Sequence, residues 1–82
     1  MDIIDSIKQA LKANHNLDFV EILNESANHL GHAGYGDYSH LCIKLPAKSF
    51  ANMSRVERYR VLHKEVVQAA GQEIHSIRFE FV

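Results

Sequence analysis

Residues 39–46 read Ser39-His40-Leu41-Cys42-Ile43-Lys44-Leu45-Pro46, and their alternation decides the fold. Leu41, Ile43 and Leu45 fall on one face of an extended strand, with His40, Cys42 and Lys44 on the other. Pro46 ends the strand because it has no N–H for a ladder. Downstream, residues 47–53 form a turn or short helical fragment anchored by Phe50, and Ser54-Arg55-Val56-Glu57 has the spacing of a capping box. The helix opened by that box places Val56, Tyr59, Leu62, Val66 and Ala69 at three- and four-residue steps, read as its buried stripe. Gly71 suits its C-terminal cap. Residues 74–82 then read as a final strand, with His75, Ile77, Phe79 and Phe81 on one side and Ser76, Arg78 and Glu80 on the other.

Working back from the same strand, residues 2–14 carry Ile4, Ile7 and Leu11 at helical spacing, with Asp2 placed to cap them and residues 14–16 ending the run. Residues 17–24 are apolar and of strand length, Val20 and Ile22 opposing Phe19, Glu21 and Leu23. The segment between the first two strands is long and glycine-rich, of the kind that often carries function. The expected order is helix, strand, strand, short helix, helix, strand. The first two strands pair antiparallel, and the last helix crosses over to a parallel partner. This is a single α+β domain over residues 1–82, a three-stranded mixed sheet with helices on one face.

Composition narrows the function. The 82 residues carry 9 Lys and Arg against 10 Asp and Glu, a formal charge of −1. The strong positive charge usual in a nucleic-acid binder is missing. Between residues 44 and 64, however, six basic residues face one acidic residue, a local surface for an anionic partner. The single cysteine, Cys42, cannot form an internal disulfide, so a reducing compartment is expected. The acidic N-terminus has no basic, then apolar, leader. The expectation is a cytoplasmic protein with no membrane span. No nucleophile–base pair, phosphate loop or carboxylate pair stands out, so no enzymatic activity is expected.

Histidine is the distinctive residue: six are present. His29, His32 and His40 lie in or at the end of the glycine-rich segment, and His75 opens the last strand. Imidazole is the commonest side-chain metal ligand. His29 and His32 have His-x-x-His spacing, yet a structural zinc site takes four ligands, usually with cysteine. Parity puts Cys42 on the outer face. His75 alone also reads as a partly buried histidine bonded to backbone, and the loop histidines as a solvated polar loop. Gly31-His32-Ala33-Gly34 spells the G-x-x-G of KH-type RNA-binding loops, but joins two strands here rather than two helices.

Taken together, four pieces resemble the BolA family over nearly the whole chain: Asn24-Glu25-Ser26, Ser39-His40, Phe50 eight residues before Arg58-Tyr59-Arg60, and Ile74-His75-Ser76-Ile77. Tyr59 stands where the family usually has the histidine of Arg-His-Arg, and Asn52 replaces a nearby glycine. The resemblance implies a fold like class II KH domains and partnership with a monothiol glutaredoxin. It implies a two-iron two-sulfur cluster held jointly by the glutaredoxin's cysteine, a glutathione thiol and two ligands from this chain, with no cofactor when the chain is alone. The last-strand ligand maps to His75. The other lies in the loop, as His29 counting from Asn24 or nearer His32 counting back from Ser39. Arg58, Arg60 and Lys64, with Tyr59 among them, are then the expected partner-binding surface. A second role attributed to such proteins is DNA-binding transcriptional regulation, which here would use Lys48, Arg55, Arg58 and Arg60.

Overall fold

A computed structural model describes residues 2–26 and 40–82. The order is α1 (Ile3–His15), β1 (Glu21–Asn24), β2 (His40–Leu45), a 3-10 turn (Ala47–Phe50), α2 (Arg55–Ala70) and β3 (Ser76–Phe81). The sheet order is β1-β2-β3, with β2 antiparallel to β1 and parallel to β3. The expected α+β class and topology are those observed, the short helix being a 3-10 turn. Among the described residues no helix is long and apolar enough to cross a membrane.

The termini of the helices follow from their local chemistry. Asp2 accepts from the N–H groups of Ile4 and Asp5, satisfying donors that the first turn leaves open. Asn16 adopts the left-handed conformation at φ 52°, and the N–H of the next residue, Leu17, returns to Lys12 O at 3.1 Å. The first strand is shorter than residues 17–24. Leu17 spends its amide on the helix end, and the ladder begins only at Glu21. At α2 the capping box forms in both directions: the Glu57 N–H donates to Ser54 Oγ at 3.1 Å and the Ser54 N–H to Glu57 Oε1 at 3.2 Å. Gly71 closes the helix at φ 71°.

Ile7 and Leu11 of α1, Leu62 and Val66 of α2, and Leu41, Ile43 and Leu45 of β2 form one buried cluster with Phe50. The opposite sheet face carries Glu21 and Leu23 of β1, His40, Cys42 and Lys44 of β2, and Arg78 and Glu80 of β3. Both helices therefore cover one face.

The expected burial of Val56 and Tyr59 fails. Val56 and Tyr59 are 58% and 49% exposed. Successive three-residue steps turn back around a helix by about 60° each, so Val56 sits about 120° away from Leu62. Leu62, Val66 and the half-buried Ala69 form the stripe that meets the core. Cys42 keeps its expected face but is fully buried, because its register partners Leu23 and Arg78 lie on either side and Glu80 bonds to it.

Candidate functional site

The parallel pairing of β2 and β3 sets His40 opposite Ser76. His75 lies one residue before β3, so strand alternation does not govern its side chain, and the expected alignment with Ile77 and Phe79 does not extend to it. It is exposed, and its ring lies beside that of His40, centroids 5.3 Å apart and planes tilted by 57°. His40 is half-buried at the start of β2. Its main chain is held on both sides: Glu25 donates to its carbonyl at 2.8 Å, and its own N–H donates to Ser26 Oγ at 3.0 Å. Ser26 is only 5% exposed, and its N–H is bound by Asn24 Oδ1 at 3.0 Å.

These bonds join Glu25 and Ser26 to His40 at the corner that holds the two imidazoles. The His29 and His32 assignments, and Gly31-His32-Ala33-Gly34, lie outside the described residues. Among the described residues no group of three or more His, Cys, Asp or Glu side chains is placed to hold a metal. The corner holds two imidazoles of unlike access: the His75 ring is exposed and can offer a nitrogen outward, whereas His40 Nε2 is buried. One outward imidazole can serve as a single metal ligand, with the others supplied from elsewhere.

The cysteine is not suited to supply sulfur here. Cys42 Sγ donates to Glu80 Oε2 at 3.0 Å. Burial, and next the bond to Glu80, push the thiol above its ordinary value, while that same bond holds the Glu80 carboxyl below its own. A thiol so raised stays neutral at pH 7, and the neutral form neither ligates metal nor attacks electrophiles. Iodoacetamide at pH 8 should therefore alkylate folded Cys42 at least about tenfold more slowly than the urea-unfolded chain. Equal rates, followed by mass spectrometry, would contradict this burial.

The basic segment does not form one surface. Arg58 is half-buried; its Nε donates to Met53 O at 3.1 Å and its guanidinium lies 4.8 Å from the Phe81 ring centroid. Arg60 is about 200° further round the helix and, like Lys64 one turn on, is exposed. Tyr59 meets the Phe79 ring edge-on at 5.7 Å and stacks on His63 at 5.4 Å. Arg55, Arg58, Tyr59, Phe79 and Phe81 line a shallow groove of about 160 Å³. Lys48 is paired with Asp18 at 3.2 Å, and Lys44 lies on the helix-free sheet face. The expected partner-binding set is split between the groove (Arg58, Tyr59) and the far flank of α2 (Arg60, Lys64).

Reading the sequence alone missed the His40–His75 pair. The signal was present: a parallel crossover places the first residues of β2 and β3 side by side.

Comparison with known proteins agrees with this architecture. An uncharacterized protein in the cobS 5′ region of Sinorhizobium sp is 29% identical over 84 residues, covering 98% of this chain and 89% of that protein. Among solved structures, BolA1 from Arabidopsis thaliana superposes with a TM-score of 0.72 at 23% identity, covering 92% of this chain and 84% of that one. The solution structure of BolA1 from Mus musculus gives a TM-score of 0.73 at 22% identity, covering 95% of this chain but 62% of the mouse chain. The family model for BolA-like proteins matches residues 7–82, and the chain belongs to the BolA-like family.

Proposed function

We propose that this chain is a non-enzymatic adaptor in iron–sulfur cluster assembly or trafficking, co-ligating a two-iron two-sulfur cluster with a monothiol glutaredoxin. The observation that carries the reading is the exposed His75 ring, set beside His40 at the corner where β2 and β3 begin. His75 supplies one nitrogen. The second comes from His29 or His32 of the loop, with His40 standing beside His75 at the same corner. The glutaredoxin cysteine and a glutathione thiol supply sulfur, which accounts for a chain rich in imidazole whose one cysteine is buried.

Histidine ligation gives such a cargo two properties. It raises the reduction potential relative to all-thiolate ligation, and it makes retention depend on pH, because a protonated imidazole cannot bind iron. Both suit a cluster that is passed on rather than stored. Arg60 and Lys64, exposed on one flank of α2, supply positive charge for steering an acidic partner surface.

Anaerobic mixing with a monothiol glutaredoxin, ferrous iron, sulfide and glutathione tests the reading. The expected result is a visible absorption and circular dichroism spectrum distinct from that of the glutaredoxin homodimer, in a species containing both chains. A spectrum unchanged by this chain would refute it. The second reading, DNA-binding regulation, draws on the exposed Arg55 and Arg60 of α2. It requires a gel shift on duplex DNA that weakens steeply with salt and is lost in an R55E/R60E variant.

A further inference from the structure

β3 is an edge strand, with no strand partner on its outer side among the described residues. The hydrogen bonds at its end fix which groups face outward. The Val82 N–H donates to Leu45 O and the Val82 carbonyl accepts from Ala47, both at 2.9 Å, so Val82 points its main chain toward β2. By alternation Ser76, Arg78 and Glu80 do the same, and the N–H and C=O groups of Ile77, Phe79 and Phe81 point to the open edge.

We propose that this edge pairs with a second copy of the chain, antiparallel about a two-fold axis through Phe79, joining two sheets into one of six strands. Two features of β3 favour that occupant and that register. With Phe79 on the axis, Ile77 faces Phe81 of the second copy, and each such pair joins two outward-pointing residues in a hydrogen-bonded rung. Arg78 then lies directly opposite Glu80 of the second copy, twice by symmetry, in the close non-hydrogen-bonded rungs. Moving the axis one residue either way sets Arg78 on Arg78 or Glu80 on Glu80. Within one chain Arg78 already reaches Glu80 of the same strand and, across β2, Glu25 at the end of β1, each at 3.4 Å, so the pairing with the second copy competes with contacts the guanidinium makes in its own sheet.

The helix above the strand is prepared for the same contact. Tyr59 packs on Phe79, and Tyr59 and Val56 one turn away are the exposed apolar residues of that flank of α2. A two-fold axis through Phe79 brings Tyr59 toward Tyr59 of the second copy. Natural sheet edges are commonly protected by like charge, proline or a bulge; β3 instead carries one charge of each sign, which antiparallel self-pairing makes complementary. Ser76 meets Val82 of the second copy, so His75 lies beyond the ladder. The interface is small, in the transient class.

Sedimentation and concentration-dependent amide exchange test this up to about 1 mM chain. The expected result is reversible dimerisation, with the Ile77, Phe79 and Phe81 amides gaining protection as concentration rises. R78E alone and E80R alone should each weaken the dimer about tenfold or more. An equimolar mixture of the two should restore association, as should R78E/E80R in a single chain, which also shows that loss in the single variants is not misfolding. A chain monomeric throughout would overturn the proposal, leaving the edge to a strand of another protein. Dimerisation indifferent to the charge exchange would overturn it as well.

Discussion

Phe50→Ala is expected to lower the unfolding free energy by about 3–5 kcal/mol and the melting temperature by roughly 15–30 °C. Phe50 is 1% exposed and sits in the 3-10 turn between β2 and α2. Its ring touches His15 of α1 at 5.2 Å and Phe81 of β3 at 5.4 Å. It therefore joins the first helix to the last strand, two elements brought together only by the completed fold. A domain of this size has total stability on the order of 5–10 kcal/mol, so the loss would remove about a third of it or more. His15 is already fixed by Glu65, whose carboxylate lies 2.9 Å from its Nε2, and so cannot collapse freely into the space. The internal control is Val56→Ala, which removes a residue 58% exposed and should change stability by no more than about 0.5 kcal/mol. Urea titration of both variants decides between this packing and the sequence reading that buries Val56. Equal losses would favour the latter.

His75→Ala is expected to abolish the shared-cluster spectrum with a monothiol glutaredoxin while leaving the fold intact. His75 is exposed and precedes β3, so its removal should alter stability by no more than about 0.5 kcal/mol. A ligand loss, by contrast, is all or none in the visible spectrum. His40→Ala should have a smaller effect on the spectrum than His75→Ala, because His40 is half-buried behind the exposed ring. His29→Ala and His32→Ala divide the loop assignment: whichever variant loses the spectrum names the second ligand. A full spectrum in His75→Ala, at unchanged thermal stability, would remove this residue from the cluster.

The fold was readable wherever a local rule had no competitor. The alternation of Leu41, Ile43 and Leu45, the Ser54–Glu57 box, the Asp2 cap and the left-handed Gly71 all act within a few residues, and each gives the observed element. Boundaries failed where a side chain or amide had a second use, as at Leu17, whose N–H completes the cap of α1. Burial failed where it depends on which neighbours the fold supplies. Val56 and Tyr59 belong to an apolar spacing but turn away from the stripe of Leu62 and Val66 that meets the core, and on the outer sheet face Cys42 is covered by Glu80 of β3, remote in sequence. Of the candidate site, His75 was singled out from Ile74-His75-Ser76-Ile77 through the family resemblance. Its neighbour His40 was not, since their proximity is a product of parallel register. The positive segment looked like one surface because sequence counts charge without angle. Around α2, Arg58 and Arg60 diverge, and Arg58 is held by Met53 and Phe81.

The most direct test of histidine ligation is pulsed electron paramagnetic resonance of the reduced cluster. The chain would be labelled with ¹⁵N-histidine and assembled with unlabelled glutaredoxin and glutathione. The expected spectrum contains ¹⁵N hyperfine couplings of directly ligated imidazole, from two nitrogens of this chain, one of which disappears in His75→Ala. Strong nitrogen coupling absent from the wild-type complex would contradict the account.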